Sequence, residues 1–245
     1  MRYALAAIGF INGDIVFNQA AIIQTLRKCR GNADMVIFGE AFLQGFYAIN
    51  FDVKHDQNVA IPKESPHIEA IRSAAGECSV GVSFGFIEKE RDVFYSSQMT
   101  IDRDGRILDL YRRISPGWKE PFAGVAYREG KNPHEFIFMG KRIVVALCGD
   151  LWFDGILKDL KNRKPDMIWW PVYTDFTGGE WNQREKYAYA KRANETGKPV
   201  FYINSFCIDK AEEEQTAKGG AAFFMEGRIQ KELPSGSEGI LTVTC

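Results

Sequence analysis

The chain has 245 residues, 45% of them hydrophobic, which supports a sizeable core and fits one large α/β domain over residues 1–245. Its formal net charge is -1 with the signs well mixed, so there is no basic stripe for nucleic acid and no acidic tail. No apolar run approaches a membrane span, Met1-Arg2-Tyr3-Ala4-Leu5 reads as a strand rather than a secretory leader, and the five cysteines lack metal-type spacing, so a reducing cytoplasm is the expected compartment.

Tyr3–Phe10 reads as a strand. Asn18–Arg30 has helical spacing after Asp14 and Asn18, either of which suits a cap. Asp34–Phe38 is a short buried strand, and Ser65–Cys78 is a helix with Pro66 in its first turn. Three strands follow closely, Ser79–Glu88, Val93–Asp102 and Arg106–Arg113, the last two joined by the hairpin turn Asp102-Arg103-Asp104-Gly105. After a long polar loop come strands Phe136–Met139 and Lys141–Cys148, helix Gly155–Asn162, strand Asp166–Pro171, helix Trp181–Thr196 and strand Pro199–Asn204. Strands Ala221–Met225 and Gly239–Val243 close the chain, with Met225-Glu226-Gly227-Arg228 as a turn. The charged run Lys210–Gln215 reads as a solvated loop or helix face. Helix-linked strands in both halves, with hairpin strands between, predict two sheets packed face to face under outer helices, a four-layer α-β-β-α sandwich; one doubly wound sheet is the competing architecture.

Cys148 ends the apolar run Arg142–Cys148 and is followed at once by Gly149-Asp150. A thiol at a strand tip before a glycine turn is held by a rigid element and open above. Glu40 follows the apolar run Met35–Gly39 in the same way, and Glu120 lies in a loop containing Pro, Gly and Trp. A cysteine with carboxylates to move its proton is equipped for acyl transfer at a carbon–nitrogen bond. Each residue alone has a plainer reading. A free cysteine is usually a small buried hydrophobe, Glu40 an ordinary strand-end carboxylate, and Glu120 beside Lys119 a surface ion pair of little value. Trp118, Trp152, Tyr173 and Phe176 either line a substrate pocket or belong to the core, and Trp169-Trp170 reads as packing between sheet and helix. The three histidines, His55, His67 and His134, lie in polar surroundings.

Gly39-Glu40-Ala41-Phe42-Leu43-Gln44-Gly45-Phe46 resembles the first signature of the nitrilase (carbon–nitrogen hydrolase) superfamily, usually Pro-Glu-x-x-x-x-Gly-Tyr. Tyr95-Ser96-Ser97 through Asp102-Arg103-Asp104-Gly105 to Tyr111-Arg112-Arg113 is similar to the hairpin leading to that family's lysine, and Leu147-Cys148-Gly149-Asp150-Leu151-Trp152 resembles its nucleophile segment. The Cys-x-Asp-Leu-Trp form is closest to that of amidase domains in glutamine-dependent NAD synthetases. Arg192-Ala193-Asn194-Glu195-Thr196 and Val200-Phe201-Tyr202-Ile203-Asn204 are similar to the helix and strand that follow. The resemblance spans essentially the whole chain in family order. It implies the αββα sandwich, no cofactor and no metal, a homodimer, and a small amide, nitrile or N-carbamoyl substrate. It matches Glu40 to the general base, Cys148 to the nucleophile and Glu120 to the second glutamate, with the Gly149 N–H at the oxyanion.

Two positions depart from the pattern. Gly39 replaces the usual proline and is expected to loosen the approach to Glu40. Arg113 stands where the family has lysine; arginine keeps the charge and adds fork donors, but is larger and does not give up its proton. Three outcomes follow, in this order: Arg113 acts as a purely electrostatic oxyanion group, Lys119 swings in from the loop, or turnover is lost and a small-molecule binding protein remains. An activated Cys148 thiolate is expected to alkylate ahead of the other thiols. A metal-dependent phosphodiesterase of similar layered shape would need clustered Asp, Asn and His ligands, and the sequence offers no convincing set.

Overall fold

Strand residues that are apolar on both faces demand cover on both faces, and this sets the architecture. The computed structural model describes residues 1–209 and 216–245, so the charged run Lys210–Gln215 lies outside the described residues. The first half contains β1 (Arg2–Ala7), β2 (Gly9–Phe10), α1 (Ile15–Cys29), β3 (Met35–Ile37), α2 (Val53–Asp56), α3 (Pro66–Cys78), β4 (Gly81–Glu90), β5 (Val93–Ile101) and β6 (Ile107–Arg112). The second contains β7 (Glu135–Phe138), β8 (Lys141–Val145), α4 (Asp154–Asn162), β9 (Met167–Val172), α5 (Gly178–Glu180), α6 (Lys186–Asn194), β10 (Val200–Asn204), β11 (Phe206–Cys207), β12 (Ala221–Met225), β13 (Arg228–Leu233) and β14 (Gly239–Thr244).

Two six-stranded sheets form, in the orders β14-β1-β3-β4-β5-β6 and β13-β12-β10-β9-β8-β7. In the first, β1, β3 and β4 run parallel and β4, β5 and β6 antiparallel. In the second, β8, β9 and β10 run parallel between antiparallel flanks. Alternation along each strand sorts the layers. Tyr3, Leu5 and Met35 face Ile143, Trp169 and Phe201 of the other sheet, whereas Ala4, Val36 and Phe84 face Leu26 of α1 and Ile71 of α3. The outer face of the second sheet packs Ile168 and Trp170 on Leu160 of α4 and Ala193 of α6. This is the α-β-β-α sandwich. The adjacent tryptophans divide between layers: Trp169 meets Tyr3 between the sheets at 6.1 Å, and Trp170 stacks on Tyr189 under the helices at 4.8 Å. No helix of the described residues is long and apolar enough to cross a membrane.

Several elements differ from the sequence reading. The first strand breaks at Ile8, because Gly9–Phe10 leave the large sheet to pair with β11. Asp14 caps α1 by accepting from the Phe17 N–H at 2.9 Å, while Asn18 is buried and bonds Ile11 and Leu43 instead. That anchors the segment carrying Glu40 to the helix. The strand expected to reach Cys148 ends at Val145. β13, with four polar or charged residues and only two apolar ones to announce it, forms on the edge of the second sheet.

The sheets meet at Gly39. A Cβ there would sit 2.5 Å from Ser205 Oγ, 2.7 Å from Ser205 N and 2.9 Å from Val172 O. The Glu40 N–H donates to Val172 O at 3.1 Å, joining the two sheets directly beside it. Glycine therefore tightens the approach to Glu40 rather than loosening it. Gly39→Ala is expected to cost about 1–3 kcal/mol through overpacking, read as a lowered urea midpoint; an unchanged midpoint would mean that Ser205 yields freely.

Candidate active site

Glu40 leaves β3 after Phe38 and Gly39 and is fully buried. A buried carboxylate needs partners, and it has two. Ser96 Oγ donates to Oε1 at 2.8 Å, and Arg113 Nη1 lies 3.1 Å from Oε1 and 3.4 Å from Oε2. Both partners come from one hairpin: Ser96 is on β5, and the Arg113 N–H extends the ladder to Ser96 O at 2.9 Å. The guanidinium is itself buried, with Nε on Ser115 Oγ at 3.0 Å and Nη2 facing Pro116 O at 3.4 Å. Burial works against its charge, but Glu40, Cys148 and Asp150 outweigh that and hold it above its ordinary pKa.

Cys148 opens a short 3₁₀ turn, Cys148–Trp152, beyond the end of β8. Its φ of 47° is left-handed, a conformation that costs a non-glycine residue roughly 1–2 kcal/mol. The surroundings impose it. Trp170 Nε1 donates to Cys148 O at 2.7 Å. The Asp150 carboxylate accepts from Tyr111 OH at 2.6 Å, Ser115 N at 2.7 Å, Leu147 N at 2.9 Å and Ile114 N at 3.1 Å. One buried side chain thus fastens the cysteine turn to the segment that follows Arg113. Burial raises its pKa, and the bonds from Tyr111, Ser115 and Leu147 pull it back. A Cβ at Gly149 would lie 2.8 Å from both Arg113 Nη2 and Ser115 Oγ, so glycine lets the guanidinium close over the turn.

Glu40, Arg113 and Cys148 line one cavity of about 510 Å³, a size typical of small-molecule sites. Glu120 and Tyr173 line it too, Glu120 from the exposed loop. The Cys148 thiol points towards Tyr173 O at 3.6 Å. Burial first, then the Glu40 charge, pushes the thiol up to about 12, against the pull of Arg113. That shift runs against a thiolate at rest and suits a thiol whose proton is taken during attack; Cys148 is also more accessible than buried Cys29, Cys78 and Cys207.

Other residues singled out in the sequence lie elsewhere. Lys119 does not reach the cavity, because its Nζ is held by Tyr127 O at 2.7 Å and Glu129 at 3.0 Å. Trp118 is buried in a cluster with Ile49, Phe94 and Tyr127. Trp152 packs edge-on to Tyr189 at 5.0 Å, and Phe176 stacks on Trp181 at 6.5 Å. Neither lines the cavity, nor does any of the three histidines. Sequence reasoning missed Ser96, Ser115 and Asp150, although Ser96 and Asp150 sit inside the quoted motifs, and it missed Phe46, Phe51 and Asp175 of the lining. Among the described residues, no group of three His, Cys, Asp or Glu side chains could hold a metal ion.

The fold and the site together define a class: an α/β sandwich that brings a cysteine, a glutamate and a cationic side chain into one cavity. The chain belongs to the carbon–nitrogen hydrolase family, whose profile matches residues 18–245. It is similar to N-carbamoylputrescine amidase of Arabidopsis thaliana, 26% identical over 166 residues, covering 65% of this chain and 54% of that protein. The chain spans about half the length of the first curated relatives it matches. The amidase of Nesterenkonia sp. AN1 shares the fold, with a TM-score of 0.78 at 16% identity over 100% of this chain and 93% of that one. So does glutamine-dependent NAD+ synthetase of Acinetobacter baumannii, with a TM-score of 0.73 at 20% identity over 98% of this chain and 44% of that one.

Glu40→Gln removes the charge that raises the thiol, so the pH profile of Cys148 alkylation is expected to move to lower pH. Arg113→Gln removes the opposing pull and should move it higher. Iodoacetamide labelling against pH, read by peptide mass spectrometry, checks both; three superimposed profiles would refute the coupling.

Proposed function

We propose that this protein hydrolyses a non-peptide carbon–nitrogen bond of a small amide, nitrile or N-carbamoyl compound through a cysteine thioester, releasing ammonia. The observation that carries the reading is the shared cavity: the Cys148 thiol, the Glu40 carboxylate and the Arg113 guanidinium line it together, with Arg113 Nη1 3.1 Å from Glu40. In a glutamate-to-glutamine mutant of the Nesterenkonia amidase, acrylamide has added to the active-site cysteine, which supports a nucleophilic role for Cys148.

In an amide reaction Glu40 takes the thiol proton as Sγ bonds to the carbonyl carbon. Pairing proton transfer with attack removes the need for a resting thiolate. The oxyanion that forms is stabilised by the Arg113 charge and the Gly149 N–H; one such donor is worth about 3–4 kcal/mol in other enzymes. Arg113 keeps its proton throughout, so its part is electrostatic. Protonated Glu40 then gives its proton to the leaving nitrogen as the C–N bond breaks. Water, deprotonated by Glu40, attacks the thioester and restores the thiol. Glu120, on the cavity wall, positions the substrate amide.

A binding protein that keeps the fold is the alternative, and one observation favours it: the Arg113 donors are already engaged by Glu40, Ser115 and Pro116. A screen of short amides, ω-amides and N-carbamoyl amines, read by ammonia release, separates the two. Release is expected, falling to background in Cys148→Ala and by about 10²–10⁴ in Glu40→Gln, with an acyl adduct on Cys148 by intact mass. Ligand-induced stabilisation without ammonia or adduct, and activity gained in Arg113→Lys, would favour the binding protein.

A further inference from the structure

Asp56 is a fully buried carboxylate that the reaction does not use, and neither it nor Tyr127 lines the cavity. Four groups converge on it. The Asn50 N–H donates to Oδ1 at 3.1 Å and the Phe51 N–H to Oδ2 at 2.9 Å, while Tyr127 OH donates to Oδ2 at 2.7 Å and His55 Nδ1 lies 2.8 Å from Oδ1. Burial and the Asp56 charge both raise the Tyr127 phenol, so it remains the donor. Asn50 and Phe51, unlike their acceptor, do line the cavity. Phe51 has a φ of 64°, a left-handed conformation rare for a bulky side chain and kept only where the surroundings over-determine it. Its ring meets Tyr127 at 5.3 Å, Trp118 at 6.3 Å and Phe122 at 6.2 Å, the last edge-on. Tyr127 is pinned in turn to β5, where the Phe94 N–H donates to Ala126 O at 2.8 Å and the Arg128 N–H to Phe94 O at 3.0 Å. Ser96 of the same strand holds Glu40.

We propose that Asp56 is a positioning residue that sets the size limit of the cavity: by fixing Phe51 against Phe122 it makes a rigid stop for the part of the substrate remote from the reacting carbon. The proposal takes from the hydrolase reading only that this carbon sits at Cys148. Phe51 and Phe122 line the wall in ring contact, and Phe122 is exposed, so the stop stands on the outer side of the cavity. A small group fits inside it, whereas a branched one must push Phe51 away. A ring on a free backbone would swing aside. Here the backbone N–H is bonded to a buried carboxylate, and that carboxylate is bonded to the loop carrying the opposing rings. Displacing Phe51 would therefore strip a donor from a buried charge, which resists the move.

The test measures alkylation of Cys148 by iodoacetamide and by its N-tert-butyl analogue. Each rate is read by peptide mass spectrometry and divided by the rate at the same cysteine in urea-unfolded protein. Alkylation needs access to Sγ and no turnover. The wild type is expected to favour the small probe by about tenfold, a scale that hydrophobic pockets reach for one methylene. Asp56→Asn is expected to lower that ratio several-fold, and Tyr127→Phe, a milder change that removes one donor, to lower it by less. Phe51→Ala removes the stop itself, so adding Asp56→Asn to it should change the ratio no further; a merely structural role predicts the same fall in both backgrounds. No preference in the wild type, a ratio unmoved in both Asp56→Asn and Tyr127→Phe, or a further fall in the double variant would overturn the proposal. In amide turnover the same variants should lower KM for a branched amide relative to acetamide; a change confined to kcat would count against the stop. Size selection in alkylation with no ammonia from any amide would leave the stop standing and sink the hydrolase reading alone.

Discussion

The buried pair of Glu40 and Arg113 is the constraint around which the site is built. Both groups lose water, and each would be costly alone; removing one partner of such a pair typically costs about 3–5 kcal/mol. At 3.1 Å, with Ser96 on the same carboxylate oxygen, the pair ties the end of β3 to the β5–β6 hairpin. It also fixes the charge seen by Cys148. One partner raises the thiol and the other lowers it, the carboxylate having the larger effect, so the sulfur responds to any proton that Glu40 gains.

Asp150 does for the backbone what that pair does for the charges. Its four donors come from β6, from the segment after Arg113 and from the residue before Cys148. Nucleophile and guanidinium therefore share one anchor. Placing a reacting group to within a fraction of an ångström takes this kind of support from side chains that do not react. Glycines at 39 and 149 complete it by leaving room for Ser205 in one case and Arg113 in the other.

Much of this was legible in the sequence. Alternation and helical spacing gave both sheets and the four covering helices, because residues buried on two faces leave a strong pattern. Motifs in order pointed to Glu40, Arg113 and Cys148 sharing one cavity. What stayed hidden has physical reasons. β13 is a polar edge strand held mainly by its ladder to β12, so it carries no hydrophobic signal. The positions of Lys119, Trp152 and Phe176 depend on loop paths and on partners far away in the chain, which spacing does not encode. Ser96 and Asp150 are ordinary polar residues until the fold supplies an acceptor for one and four donors for the other.

The left-handed backbone at Cys148 sets a ceiling on how stable this protein becomes without losing its chemistry. Glycine at 148 would relax that turn, and it would also delete the sulfur. Selection for robustness alone would therefore erode the site at its centre, and the strained cysteine persists only while something rewards its reactivity.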